Sequence, residues 1–158
     1  AANHLALIDE SSPVTASADP SPSNFLAMER TYAGAGDRAV VFRCGDIFGA
    51  GDPPIEQKVA MAHQYLNGSV PFSADALLYR LHVEDAADAI LHALDAELSG
   101  VYNLTHAEVG PRNADLFDSI SAQQGLPPLE YRDEIAAPSA PISIAALQAT
   151  GFTPSRSF

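Results

Sequence analysis

The chain has 158 residues, 47% of them apolar, and a net charge of −12 from eight basic and twenty acidic residues. We expect one domain over residues 1–158, which buries about 70% of the surface of the unfolded chain. The acidic balance argues against nucleic acid and anionic membranes as partners, because both attract Lys and Arg. No apolar run reaches the ~20 residues of a membrane span and no signal peptide opens the chain, so we expect a cytoplasmic protein.

Hydropathy and turn residues predict alternating helices and strands, the pattern of an α/β fold. The first helix is capped by Ser21 or Ser23 and ends at Ala33, before Gly34. The other predicted elements follow in chain order: a strand Ala39–Cys44, a helix Ile55–Asn67, a loop Val70–Ala76, a strand Leu77–Val83, a helix Glu84–Leu94, a strand Val101–Leu104, a helix Asn113–Gln124, an edge strand Leu129–Ile135 and a last short helix within Pro141–Thr150. The expected architecture is a few parallel strands flanked by helices.

The stretch Ala39–Asp52 is the one around which the chain is organised. Its first half is an apolar run that predicts a strand buried on both faces. Its second half contains Gly45, Gly49 and Gly51, which predict a turn where backbone comes close to a ligand or to another element. Ligands in open α/β sheets sit at the carboxyl ends of strands, so this stretch predicts a pocket wall.

Cysteine and histidine usage argues against disulfide and metal chemistry. Cys44 is the single cysteine, which excludes an internal disulfide and a cysteine-based metal cluster. Its place at the end of a buried strand predicts an inert core residue. The five histidines are scattered, with no i, i+4 pair on one helix, so we expect no metal site. They are His4, His63, His82, His92 and His106.

Two interpretations are open for Arg43, the basic residue near the end of the first strand. It either contacts an anion or forms a structural ion pair with Asp46, Asp52 or Asp85. Asp46 and Asp52 flank the glycine turn, and paired carboxylates can do acid–base work. In so acidic a chain, chance pairing explains them better.

The strand Leu77–Val83 carries Arg80 and His82, and strand alternation places both on the same side. His82 either faces a substrate or fixes the start of the helix that follows. Asp85, in the first turn of that helix, is interpreted as a helix cap rather than a catalytic acid. No serine lies in a glycine-flanked nucleophile turn, so no serine-hydrolase site is predicted.

Several motifs together resemble those of extended short-chain dehydrogenase/reductases, the NAD-dependent epimerase/dehydratase family. The strand and loop read VVFRCGDIFGAGD, the strand-to-helix segment reads LHVEDAADAILHAL, a later strand reads GVYNLTH, and the chain closes on GFTPSRSF. Their order and spacing are similar to the C-terminal half of that family. The resemblance implies a truncated Rossmann-like fold without the N-terminal dinucleotide-binding half, and it covers nearly the whole chain.

The resemblance also implies which residues would carry function. The family's catalytic Tyr-x-x-x-Lys pair falls on Ser21 and Phe25 when it is counted back from Glu29. Phe25 has no polar group, and a serine hydroxyl without help is a poor acid or base, so Ser21 is at most a weak catalytic candidate. The candidate substrate-binding residues are Arg43, Asp46, Phe48, Arg80 and His82.

Three functions follow as alternatives. The first is an atypical, non-catalytic pocket-bearing domain that binds a small molecule of nucleotide-sugar type. The second is part of an active oxidoreductase or epimerase. In that case the missing half supplies NAD or NADP, whereas no cofactor is expected for this chain alone. The third is an interaction domain. A sheet cut down to a few strands exposes an edge, so we expect a homo-oligomer joined there or through neighbouring apolar faces.

Overall fold

The structure is a computed structural model that describes residues 7–13, 20–34, 36, 39–135 and 137–156, and of 20–22 and 33 it describes the backbone alone. The elements, in chain order, are α1 (Pro20–Ala33), β1 (Val40–Cys44), β2 (Asp46–Phe48), α2 (Ile55–Leu66), β3 (Ser69–Phe72), β4 (Arg80–His82), α3 (Val83–Asp95), β5 (Gly100–Leu104), α4 (Asn113–Gln123), β6 (Glu130–Ile135) and α5 (Ala145–Gln148). None of the described helices is long and apolar enough to span a membrane.

The strands pair in parallel as three two-stranded sheets, β1 with β5, β2 with β4 and β3 with β6. The predicted α/β class, with parallel strands flanked by helices, is confirmed. The predicted edge strand near the C-terminal end is β6. The predicted loop Val70–Ala76 is wrong at its start, because Ser69–Phe72 extends as β3 and pairs with β6.

Gly45 is the point at which one continuous strand changes its partner. Its N–H donates to the carbonyl of Leu104 in β5 at 2.9 Å, and the next N–H, of Asp46, donates to the carbonyl of Tyr79 at 2.7 Å. A Cβ at Gly45 would lie 2.7 Å from the Tyr79 carbonyl oxygen and 2.8 Å from the Thr105 Oγ1. A glycine is therefore needed at this position, because neighbouring chain segments pack too closely here to leave room for a side chain. The expected turn directly after Cys44 is wrong, since β2 intervenes and the turn begins only at Gly49.

The core lies between the β1–β5 pair and α3. Leu81, Ala89, Leu104 and Leu147 are buried there, and Phe42 of β1 packs against them. Arg43, the next residue of β1, is held instead by Glu29 of α1. Successive strand residues point to opposite faces, so α1 and α3 lie on opposite sides of this sheet.

The helix α3 has an apolar stripe on the side away from the core. Its inward contacts come from small residues, with Ala89 fully buried and Ala93 nearly so. Its large residues Ile90, Leu91 and Leu94 are 54%, 59% and 70% exposed. A helix that is apolar on two sides is typical of a buried position. The predicted homo-oligomer stays a prediction, with this stripe as one of the apolar faces available to it.

Asp85 ties α3 to the C-terminal segment rather than capping the helix. The residue is 2% exposed, and its carboxylate accepts hydrogen bonds from the backbone N–H groups of Ser155 and Arg156 and, at 2.7 Å, from the Arg156 guanidinium. Burial alone would raise the pKa of Asp85, but these hydrogen bonds hold it below its usual value. The predicted cap is therefore wrong, and the capping side chain is that of the preceding His82.

We expect Gly45→Ala to lower the free energy of unfolding by about 1–3 kcal/mol, because the added methyl group overlaps main-chain atoms that cannot turn aside. Denaturant unfolding measures it. Gly34→Ala is the control, since a Cβ there meets the Arg30 carbonyl oxygen at an ordinary 3.4 Å. Equal stability of the two variants would contradict the close approach of these strands.

We expect Asp85→Asn to lower the free energy of unfolding at pH 7 by about 1–3 kcal/mol, as charged hydrogen bonds to a buried group are lost. A lowered pKa in the folded state means that this stabilisation is present above the ordinary carboxyl range and fades as pH falls below about 4. The difference from the wild type should therefore narrow in acid. Asp88→Asn is the control, because Asp88 also contacts Arg156 but its side chain is half exposed. A difference that does not change with pH would contradict the assignment.

Candidate functional site

An open cleft of about 550 Å³ lies at the carboxyl end of β2. Its walls are the end of β2, the segment 49–54, the first residues of α2, Arg80 of β4 and one face of α4. The predicted pocket wall in the second half of Ala39–Asp52 therefore does border a cleft. It does so from Phe48 onward, because Gly45 is used for strand contact.

Arg80 is the buried charge of this cleft. The residue is only 6% exposed, and its guanidinium carbon lies 4.0 Å from the centre of the Phe48 ring. A guanidinium stacked on an aromatic face is attracted by the negative face of the ring, which fixes its plane. The arrangement holds the guanidinium in a fixed plane at the wall of the cleft.

Asp52 lies beside Arg80 and is balanced by two cations. Its Oδ2 is 2.7 Å from Lys58 Nζ and 3.7 Å from Arg80 Nη2. The contact with Lys58 is an ion pair whose angles do not meet those of a hydrogen bond. Among the described residues, Asp52 Oδ2 is shielded from solvent and has no hydrogen-bond partner. Sequence reasoning assigned Asp52 to chance pairing. Its position directly before Pro53-Pro54 at the start of α2 was the signal that could have placed it in the cleft.

His82 fixes the start of α3, one of the two roles predicted for it. Its Nδ1 accepts the N–H of Glu84 at 3.2 Å, and the edge of its ring meets Phe48 with ring centres 5.1 Å apart. Gly49 lies against it, since a Cβ there would be 3.2 Å from the His82 Nε2. His82 and Arg80 thus both contact Phe48, which agrees with the predicted alternation, but only Arg80 lines the cleft.

Arg43 does not reach the cleft, and the ion-pair partners predicted for it are wrong. Its Nε and Nη2 donate to the two carboxylate oxygens of Glu29 at 2.9 and 2.7 Å, and its Nη1 donates to the Glu10 carbonyl at 3.3 Å. The hydrogen bond from Arg43 is the main cause that lowers the pKa of Glu29. Strand alternation points Arg43 to the α1 face, and Asp85 lies with the C-terminal segment. Asp46 is exposed in β2 and is not part of the cleft lining.

Cys44 is exposed, so the predicted core position is wrong. It is the last residue of β1, where the strand leaves its pairing with β5. Its thiol is still shielded enough for burial to raise its pKa. No group of three or more potential metal-ligating side chains occurs in the part of the chain that the structure describes.

The two positions that correspond to the family's catalytic pair both lie on α1. Phe25 is 68% exposed and is not in the cleft lining. Ser21 falls in the first turn of the helix, and its side chain lies outside what the structure describes. The Ser21 prediction therefore stays a prediction.

The same fold occurs in solved structures of epimerases and reductases. RMD from Pseudomonas aeruginosa, complexed with NADPH, matches with a TM-score of 0.64 and 21% identity over 95% of this chain and 55% of its own length. UDP-N-acetylglucosamine 4-epimerase from Methanobrevibacter ruminantium, in complex with UDP-N-acetylmuramic acid, matches with a TM-score of 0.65 and 19% identity over 94% of this chain and 52% of its own length. dTDP-4-dehydrorhamnose reductase from Bacillus anthracis, in complex with NADP, matches with a TM-score of 0.66 and 15% identity over 94% of this chain and 55% of its own length.

These likenesses define the class of fold. The chain has the Rossmann-like fold of NAD(P)-dependent epimerases and reductases and spans about half the length of the structures it matches. The resemblance inferred from the sequence motifs is thus confirmed at the level of fold. No family model matches the chain, and no curated protein matches it significantly.

We expect His82→Ala to lower the free energy of unfolding by about 1 kcal/mol, because the N–H of Glu84 loses the side-chain acceptor that caps α3. His82→Asn, which keeps a short acceptor suited to this position, should recover most of the loss. Thermal or denaturant unfolding measures both. If the two variants lose the same stability, His82 acts through its ring contact with Phe48 and not as a cap.

Proposed function

We propose that this chain is the ligand-binding portion of an atypical NAD-dependent epimerase/dehydratase-like protein and that its cleft takes a small molecule of nucleotide-sugar type. The observation that carries the proposal is Arg80, a buried guanidinium stacked on Phe48 and facing a cleft at the end of a strand. A guanidinium at the wall of a cleft can donate charge-assisted hydrogen bonds to oxygen atoms of a ligand. Clefts of about 300–1,000 Å³ with a few fixed polar groups are typical of small-molecule sites.

The walls of the cleft suit a ligand with one polar and one flat apolar part. Arg80, Asp52 and Gln123 supply charged and amide groups, and Leu116 and Ile120 of α4 supply an apolar wall. A guanidinium presents its donors in a fixed fork that matches oxygen acceptors. A sugar nucleotide combines many such oxygens with a planar base.

Proton transfer by the family's usual pair is not part of this proposal. Ser21 and Phe25 stand at the two positions. A phenylalanine can neither donate a proton nor lower the pKa of a neighbour. We propose that the chain by itself binds its ligand without Tyr–Lys chemistry and that it needs no NAD or NADP to do so.

A second candidate has support from the lengths of the matched structures. Two of them are described as complexes with NADPH and NADP, and this chain spans only about half of each. The chain would then be part of an active NAD(P)-dependent enzyme. Binding of a dinucleotide separates the two candidates.

The test titrates the chain with UDP-N-acetylglucosamine and, separately, with NADPH, by calorimetry and thermal unfolding. We expect the nucleotide sugar to stabilise the protein, by about 2.7 kcal/mol at a hundredfold excess over the dissociation constant, and NADPH to have no effect. Arg80→Met, which keeps the stem and removes the guanidinium, should weaken nucleotide-sugar binding at least ~10-fold, as expected from losing charge-assisted hydrogen bonds.

The matched control is Arg132→Met, because Arg132 is an exposed arginine paired with Glu134 and is not part of the cleft lining. It should bind as the wild type does. Absence of any nucleotide-sugar effect would overturn the proposal. Tight binding of NADPH to this chain would favour the enzyme instead.

A further inference from the structure

The apolar stripe on the outer side of α3 has the spacing of a contact between two helices. Val83, Ala87, Ile90 and Leu94 are all exposed and follow one another at intervals of four, three and four residues. This alternation keeps one line of side chains facing a single neighbouring helix, as in a coiled coil. We call these four residues the α3 seam, and Leu91 lies beside them.

The α3 seam extends over the whole helix. Val83 is 38% exposed, and exposure rises along the helix to 54% at Ile90 and 70% at Leu94. At a rise of 1.5 Å per residue the seam is about 16 Å long, which corresponds to three turns of a second helix. The surface is therefore long and narrow, and a helix fits it better than a loop.

One side of the α3 seam is bordered by carboxylates. Glu84, Asp88 and Asp95 follow one another at intervals of four and seven residues, so they form a second line along α3 beside the seam. The helix contains no lysine or arginine, and the histidine of its last turn, His92, is hydrogen-bonded to Thr150. A helix that docks on the seam therefore meets negative charge along one flank.

This negative charge is only partly balanced within the chain. Glu84, Asp85 and Asp88 all pair with the one guanidinium of Arg156, which leaves an excess of two negative charges at the start of α3. Asp95 lies in the last turn, where the helix dipole is itself negative. Cations supplied by a partner would be favourable at both ends of the border.

From the spacing and the charge we propose that the α3 seam binds an amphipathic helix of a partner protein, with lysine or arginine beside its apolar face. A second copy of this chain docked through the same seam would place carboxylates against carboxylates, which is costly. An anionic membrane is disfavoured for the same reason. The inference is independent of the proposed function, because no residue of the seam lines the cleft.

The test measures binding of labelled synthetic peptides, each about three heptads long, by fluorescence anisotropy. The Lys peptide has leucines at the positions that face the seam and lysines beside them, and the Glu peptide has glutamates in place of the lysines. A scrambled Lys peptide has the same composition without an apolar face. We expect the Lys peptide to bind at least ~10-fold more tightly than either of the others.

Variants of the protein separate the apolar contact from the charge. Leu94→Gln should weaken binding of the Lys peptide at least ~10-fold, because the leucine is no longer buried on binding. The matched control is Tyr65→Gln, since Tyr65 is 66% exposed on α2 and should not contact the peptide. Asp95→Asn should reduce the preference for the Lys peptide over the Glu peptide. Circular dichroism checks that each variant is folded.

Several results would overturn the inference. If the scrambled peptide binds as well as the Lys peptide, or if Leu94→Gln keeps the wild-type affinity, charge alone attracts the peptide. Equal binding of the Lys and Glu peptides would show that the seam does not select a basic partner. A wild-type dimer that Leu94→Gln converts to a monomer in light scattering would show that a second copy covers the seam. Absence of Lys-peptide binding to the folded monomer would also contradict the proposal.

Discussion

The close approach of the Gly45 main chain to Tyr79 and Thr105 decides where the strand that starts at Val40 changes partner. Before Gly45 the strand pairs with β5 and belongs to the core beneath α3. After it, the strand pairs with β4, which sets Phe48 opposite His82 in register. The Phe48 ring then holds Arg80 on its face and meets His82 at its edge. The position of the cleft charge thus derives from one residue without a side chain.

The charges of this acidic chain fall into two kinds according to their surroundings. Arg43 and Arg156 join elements that are distant in sequence, through Glu29 and through Asp85, and neither is among the residues that line the cleft. Arg80 is more deeply buried than either, and its guanidinium lies on the face of the Phe48 ring and 3.7 Å from Asp52 Oδ2. Arg43 and Arg156 make short bidentate or multiple carboxylate contacts, and the arginine at the cleft is stacked on an aromatic ring.

Much of the fold was open to prediction because hydropathy is a local signal. The strands β1 and β5 and the helices α2, α3 and α4 appear within a few residues of their expected bounds. The partner of Arg43 was not predictable, since Glu29 approaches only after α1 packs on one side of the sheet. Neither was the role of Asp52, which depends on Lys58 one helical turn into α2 and on Arg80 from another strand. The glycine pattern of the sequence predicted the cleft wall. It could not show that Gly45 allows two strands to approach each other and does not contact a ligand, because that depends on which strands pair.

The outward stripe of α3 has an energetic consequence for the molecule in water. Burying a large aliphatic side chain stabilises a protein by about 1.5–3 kcal/mol. Ile90, Leu91 and Leu94 are largely exposed, so burial of all three would stabilise the molecule by several kcal/mol. The small alanines on the inner side of α3 let the helix axis lie close to the sheet. The large aliphatic residues on its outer side form an apolar surface in contact with water. A layer laid over this helix would bury these side chains and recover that energy.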